Sequence, residues 1–183
     1  NPAYKRLILG LLFFALFNSS DFFLLFKMKS EGLGDTAVIG IYIFYNLVYA
    51  LFSLPAGVLA DRFGMKKIFL SGIFIFSIVY AGFAINTSLY LYFTLFFLYG
   101  IYAAATEGIS KAWISNLVKK NETASAIGTY TGLQSICSLV ASSLTGFLWM
   151  TLGATITFFA TAAVAILVII YLAILPVANT QPA

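Results

Sequence analysis

Six uninterrupted apolar runs decide what this chain can fold into. They cover residues 7–26, 37–60, 68–85, 89–114, 124–150 and 155–175. A helix rises about 1.5 Å per residue, so each run is long enough to cross a hydrocarbon core about 30 Å thick. Only 9 % of the chain is charged, where a soluble globular domain carries roughly a quarter. A water-soluble core is therefore excluded. The runs are continuous and lack the alternation of a lipid-facing strand, which points to helices rather than a barrel. The expected fold is all-α and polytopic. Residues 1–183 form a single domain with six transmembrane helices, joined by connections too short to be domains themselves.

Basic residues orient this bundle. Lys5 and Arg6 precede the first span; Arg62, Lys66 and Lys67 lie between the second and third; Lys111, Lys119 and Lys120 mark the end of the fourth and the loop after it. That places eight of the ten basic residues on one side, with only Lys27 and Lys29 on the other, beside Glu31 and Asp35. The remaining outer turns, around Asn86 and Gly153, carry no charge. By the positive-inside rule both termini are expected in the cytoplasm, with residues 176–183 a flexible cytoplasmic tail. The net charge of +4 is then a topology signal and gives no reason to expect a nucleic-acid partner. The chain begins at Asn1 without methionine, so it is expected to be part of a longer protein.

Reactive chemistry is sparse. There is no histidine, and Cys137 sits alone among small and apolar residues in the fifth run. No nucleophile–base pair, metal-ligand cluster or phosphate-cradling loop is visible. Neither an enzyme nor a bound metal or cofactor is expected, and an ATP-driven pump within this chain is excluded.

An internal repeat adds topology. Gly57-Val58-Leu59, Gly64 and Phe69 recur 89 positions later as Gly146-Phe147-Leu148, Gly153 and Phe158, and the same offset pairs Ser53 with Ser142. Asp61, Arg62, Lys66 and Lys67 become Met150, Thr151, Thr155 and Ile156 in the second copy. Three helices cross the membrane an odd number of times, so the second triplet lies inverted. Charges kept on the inner copy and lost on the outer one fit a 3+3 inverted repeat, an arrangement recurrent in secondary transporters.

The segment Gly57-Val58-Leu59-Ala60-Asp61-Arg62-Phe63-Gly64-Met65-Lys66-Lys67 resembles the loop signature of the major facilitator superfamily. Met65 stands where a basic residue is common; Lys66 and Lys67 keep the positive character. Asn18-Ser19-Ser20-Asp21 and the run from Ala105 to Ala112 are similar to carboxy-terminal halves of bacterial members. The glycine- and proline-rich fifth-helix signature of many amino-terminal halves is missing, with Ser142-Ser143-Leu144-Thr145-Gly146 in its place. The resemblance covers nearly the whole chain. It implies the second half of a twelve-helix secondary transporter in a bacterial inner membrane, partnered by the other six-helix half and moving a small solute by alternating access. A non-transporting receptor or scaffold on the same fold is the alternative. Substrate and coupling ion do not follow.

Within that frame, spans 1 and 4 are implied to line the path, 2 and 5 to meet the other half, and 3 and 6 to face lipid. Asp21 lies fifteen residues past Arg6, in the outer half of its span and on the same face as Asn18. A carboxylate at that depth costs about 3 kcal/mol by insertion scales, so it needs a wet cavity or a bonding partner. Asp21 is the leading candidate for a solute or proton site. A structural bond to Tyr45, Asn46 or the fourth span is the plainer reading. Tyr45, Asn46, Tyr130, Thr131 and Gln134 are further candidates for polar contacts along the path. Gly57, Asp61, Arg62, Gly64 and Lys66, with Glu107 and Lys111 one turn apart on the fourth span, are expected to form a cytoplasmic latch. Direct solute contact is the second role open to Glu107. Ala124, Gly128 and Gly132 form a small-residue stripe suited to close contact, either with the other half or within this one.

Overall fold

The computed structural model describes residues 2–85 and 88–174. Within them every regular element is helical: α1 Pro2–Ala15, α2 Phe22–Ser30, α3 Asp35–Phe63, α4 Met65–Ile85, α5 Leu89–Ser115 and α6 Thr123–Ile174, with a 3₁₀ turn at Lys120–Glu122. The turn at Asn86 and the tail at 176–183 lie outside the described residues. Four stretches are long and apolar enough to cross a membrane: α3, α4, α5 and the run Lys120–Ile174.

The first span differs from expectation. It is two helices, not one, and residues 18–20 between them have no helical assignment. At about 1.5 Å per residue, neither the 14 residues of α1 nor the 9 of α2 reaches across a hydrocarbon core alone. The cause is local. Asn18, Ser19, Ser20 and Asp21 are residues whose short polar side chains compete for backbone groups. Asn18 N–H closes α1 on the Phe14 carbonyl at 3.1 Å, and Ser20 Oγ accepts from Phe22 N–H at 3.3 Å. The Ser20 N–H, freed from any helix, donates to Ser142 Oγ of α6 at 3.2 Å. That bond ties the break to α6.

The fifth and sixth spans join without a loop. One helical run continues through Gly153, whose φ of 83° and ψ of 166° reverse it into two limbs. The connection between α3 and α4 works the same way: Gly64 has φ 99° and ψ 133° and bonds the Ala60 carbonyl at 2.9 Å. Such left-handed φ values are strained for any residue with a Cβ. These are the two glycines paired by the 89-residue offset.

α5 is the central element. It packs on α3 and α4, while α4 and α1 both pack on α6. Gly100 lets α5 touch α3, since a Cβ there would sit 2.8 Å from Val48 Cβ. The core between them is aromatic: Phe76 stacks 4.2 Å from Tyr80 and 4.9 Å from Tyr102, and Tyr80 meets Phe158 edge-on at 5.6 Å. Such pairs add about 0.5–1.5 kcal/mol each beyond area burial. Ser77 Oγ donates to the Ala162 carbonyl at 3.0 Å, tying α4 to the second limb of α6. Apolar side chains also cover the outside. Leu51, Leu54 and Val58 of α3 and Ile136, Leu139 and Phe147 of α6 are exposed, as they must be where the solvent is hydrocarbon or another apolar half.

Candidate functional site

The break in the first span opens a polar cavity of about 250 Å³. Asn18, Ser19, Ser20 and Asp21 form one wall, Tyr45 of α3 and Ser138 of α6 contribute, and Tyr99, Tyr102, Ala103 and Glu107 of α5 form the opposite wall. Spacings of three, one and four residues place that α5 set on a single helical face.

The geometry holds both carboxylates. Asp21 occupies the position preceding α2 yet makes no side-chain cap bond; its Oδ1 instead accepts from the Tyr99 hydroxyl at 2.7 Å. Glu107 Oε2 accepts from the Tyr49 hydroxyl of α3 at 2.9 Å. Asn18 Nδ2 donates to the Tyr102 hydroxyl at 2.9 Å, leaving Asn18 Oδ1 buried without a partner. Ser19, only 3 % exposed, lies beside the Tyr80 hydroxyl. No lysine or arginine lines the cavity.

Some expected residues meet here and others do not. Asn18, Asp21 and Tyr45 share the cavity. Asn46 turns away, its Nδ2 donating to the Tyr42 carbonyl on its own helix at 2.8 Å. Thr131 bonds the Ile127 and Gly128 carbonyls of its own helix, Tyr130 is buried in α6, and Gln134 is half-buried; none of the three lines the cavity. Tyr99, Tyr102 and Ser138 were missed. The stripe Tyr99-Ala103-Glu107 at four-residue steps was the signal that could have found Tyr99.

The cytoplasmic cluster also departs from expectation. Glu107 belongs to the cavity and not to an ionic latch. Among the described residues the salt bridges are Lys27–Glu31 and Lys29–Asp35, so the anticipated pairs of Arg62 with Glu107 and of Lys111 with Asp61 or Glu107 do not form. The physical reason is competition: Tyr49 reaches Glu107 across the helix contact, and the Arg62 guanidinium lies 5.3 Å over the Phe63 ring. Asp61 lines a separate cleft of about 240 Å³ between α3 and α5, with Gly57 and Gly108. Gly57 is not a close-contact glycine within this chain, since a Cβ there meets nothing within 4 Å. Lys66 Nζ donates to the Ala173 carbonyl at 2.9 Å, capping the end of α6 from the start of α4.

An all-helical apolar bundle of this kind is an integral membrane protein. The Major Facilitator Superfamily profile matches residues 7–183, and the chain belongs to that superfamily. An "Uncharacterized MFS-type transporter" of Methanocaldococcus jannaschii is 35% identical over 154 residues, covering 79% of this chain and 39% of that protein. An "Uncharacterized transporter" of Buchnera aphidicola is 32% identical over 116 residues, 61% of this chain and 29% of the relative. The "Probable galactarate/D-glucarate transporter" of Escherichia coli is 25% identical over 164 residues, 84% of this chain and 36% of the relative. The chain thus spans less than half the length of the curated relatives it matches.

Proposed function

We propose that this chain is the carboxy-terminal six-helix half of a twelve-helix secondary transporter, moving a small solute by alternating access. The observation that carries the reading is the cavity at the break: Asp21 and Glu107, two carboxylates within an otherwise apolar bundle, face one polar space between α1, α3, α5 and α6. Polar groups at that depth are costly and mark solute or ion paths. The superfamily match and the coverage of less than half of each relative support a half-transporter. α1 and α2 act as one crossing and the limbs of α6 as two, giving six. The paired reversals at Gly64 and Gly153 support a 3+3 inverted repeat. Both termini lie on the cytoplasmic side of a prokaryotic inner membrane.

Asp21 acts as the coupling acid, exchanging a proton as solute moves, with Asn18 and Tyr45 among the groups around it. Gly57, Asp61, Arg62, Gly64, Lys66 and Lys111 form the cytoplasmic latch with the other half, engaging across the halves rather than within this one. The open stripe of Ala124, Gly128 and Gly132, where a Cβ on either glycine meets nothing within 4 Å, is the contact surface for that half.

The test is uptake by the reconstituted full-length protein under an imposed pH gradient, against a panel of dicarboxylates, sugars and amines. Accumulation of at least one above empty liposomes is expected. Accumulation of none rejects the transporter in favour of a receptor or scaffold.

A further inference from the structure

We infer that the solute bound at the helix break is a small organic cation, an amine or quaternary ammonium compound. This rests on the transporter reading and names the substrate class of the same cavity.

Charge is the first argument. Asp21 and Glu107 both line the space, and no lysine or arginine does. Lys111 lies one turn beyond Glu107 but makes no ion pair with it, and Lys27 is paired with Glu31. Each carboxylate is held by a tyrosine hydroxyl, Tyr99 on Asp21 and Tyr49 on Glu107, which orients it. Two carboxylates with no basic residue lining the same space disfavour an anion and favour a cation.

Shape and hydrogen bonding narrow the class. Tyr45, Tyr99 and Tyr102 form an aromatic wall beside the acids. Their rings sit 5.2 Å apart in sequence, Tyr45 to Tyr99 and Tyr99 to Tyr102. These rings are buried against one another, so what they present beside the acids is chiefly hydroxyl oxygen, which can accept from an ammonium N–H. Independently of the acids, Asn18 Oδ1 is buried and unpartnered in the same wall. It is an amide acceptor, and a buried acceptor without a donor is costly unless a ligand supplies one. An ammonium N–H does so. A dicarboxylate such as galactarate offers hydroxyl donors but brings two further negative charges.

The experiment is binding, so it does not depend on transport. Full-length protein in nanodiscs is titrated by calorimetry with choline, putrescine and ethylamine, with galactarate, and with NaCl at matched ionic strength. Saturable binding of at least one ammonium probe is expected, weakened ten-fold or more by Asp21→Asn and by Glu107→Gln; either variant suffices if the other fails to fold. Galactarate should not bind. Failure of all three ammonium probes, saturable galactarate binding, saturation by sodium alone, or ammonium binding unchanged in both folded variants overturns the assignment. Ammonium binding without any uptake would leave this assignment standing and remove the transporter reading. Uptake of an anion without ammonium binding would do the reverse.

Discussion

The proposed coupling rests on a single acid. Asp21 sits where α1 has ended and α2 has not begun, and Tyr99 rather than the backbone receives it. A purely structural acid tolerates asparagine if its hydrogen bonds survive, whereas a coupling acid does not, because asparagine cannot release a proton. Asp21→Asn is therefore expected to abolish pH-gradient-driven uptake by the reconstituted full-length protein while leaving solute counterflow measurable at solute concentrations raised above the weakened binding. Unchanged gradient-driven uptake would reduce Asp21 to a structural residue. The position of Asp21 was legible in the sequence because a carboxylate inside an apolar run stands out. Its partner was not, since Tyr99 is one of eleven tyrosines and only the packing of the break against α5 selects it. The ionic latch misled for a related reason. Four-residue spacing makes a Glu107–Lys111 pair possible, but a tyrosine on a neighbouring helix took the carboxylate first.

At the level of elements, apolar runs located the helices to within a few residues, because the bilayer sets both length and composition. They could not reveal the break, since hydropathy counts side chains and the break is a matter of backbone hydrogen bonds. The cue was Asn-Ser-Ser-Asp, readable through its competition for the backbone. The reversals make a sharper test. Ala at Gly64 or Gly153 forces a Cβ into left-handed φ, at a cost of about 1–2 kcal/mol. Each substitution should lower the detergent-solubilised melting temperature by several degrees (~2–4 °C per kcal/mol). Gly57→Ala should leave it unchanged, because nothing lies within 4 Å of the added Cβ. Gly100→Leu, driven into Val48, should be the most damaging of the set and prevent α5 from seating on α3.

For the molecule as a whole, topology and partnership are the open measurements. With Cys137 replaced by serine, Lys67→Cys should react with an impermeant maleimide only from the cytoplasmic side, as eight of ten basic residues require. Labelling only from outside would invert the bundle. Gly128→Trp places a large ring on an open face, so this half should keep its melting temperature while transport by the full-length protein falls to background. Retained transport would move the contact between halves elsewhere.

An unbroken helix of about thirty residues behaves as a rod, and bending it strains hydrogen bonds along its whole length. The first span is instead jointed. Residues 18–20 are the non-helical joint, while α2 is braced by Phe26 against Trp149 at 5.4 Å and α1 by Leu7 and Leu11 in the core. Any motion of α2 relative to α1 would change the cavity wall itself, so in the proposed transporter gating and binding would share one hinge. Amide exchange should report that as fast exchange at Ser19 beside slow exchange in α1.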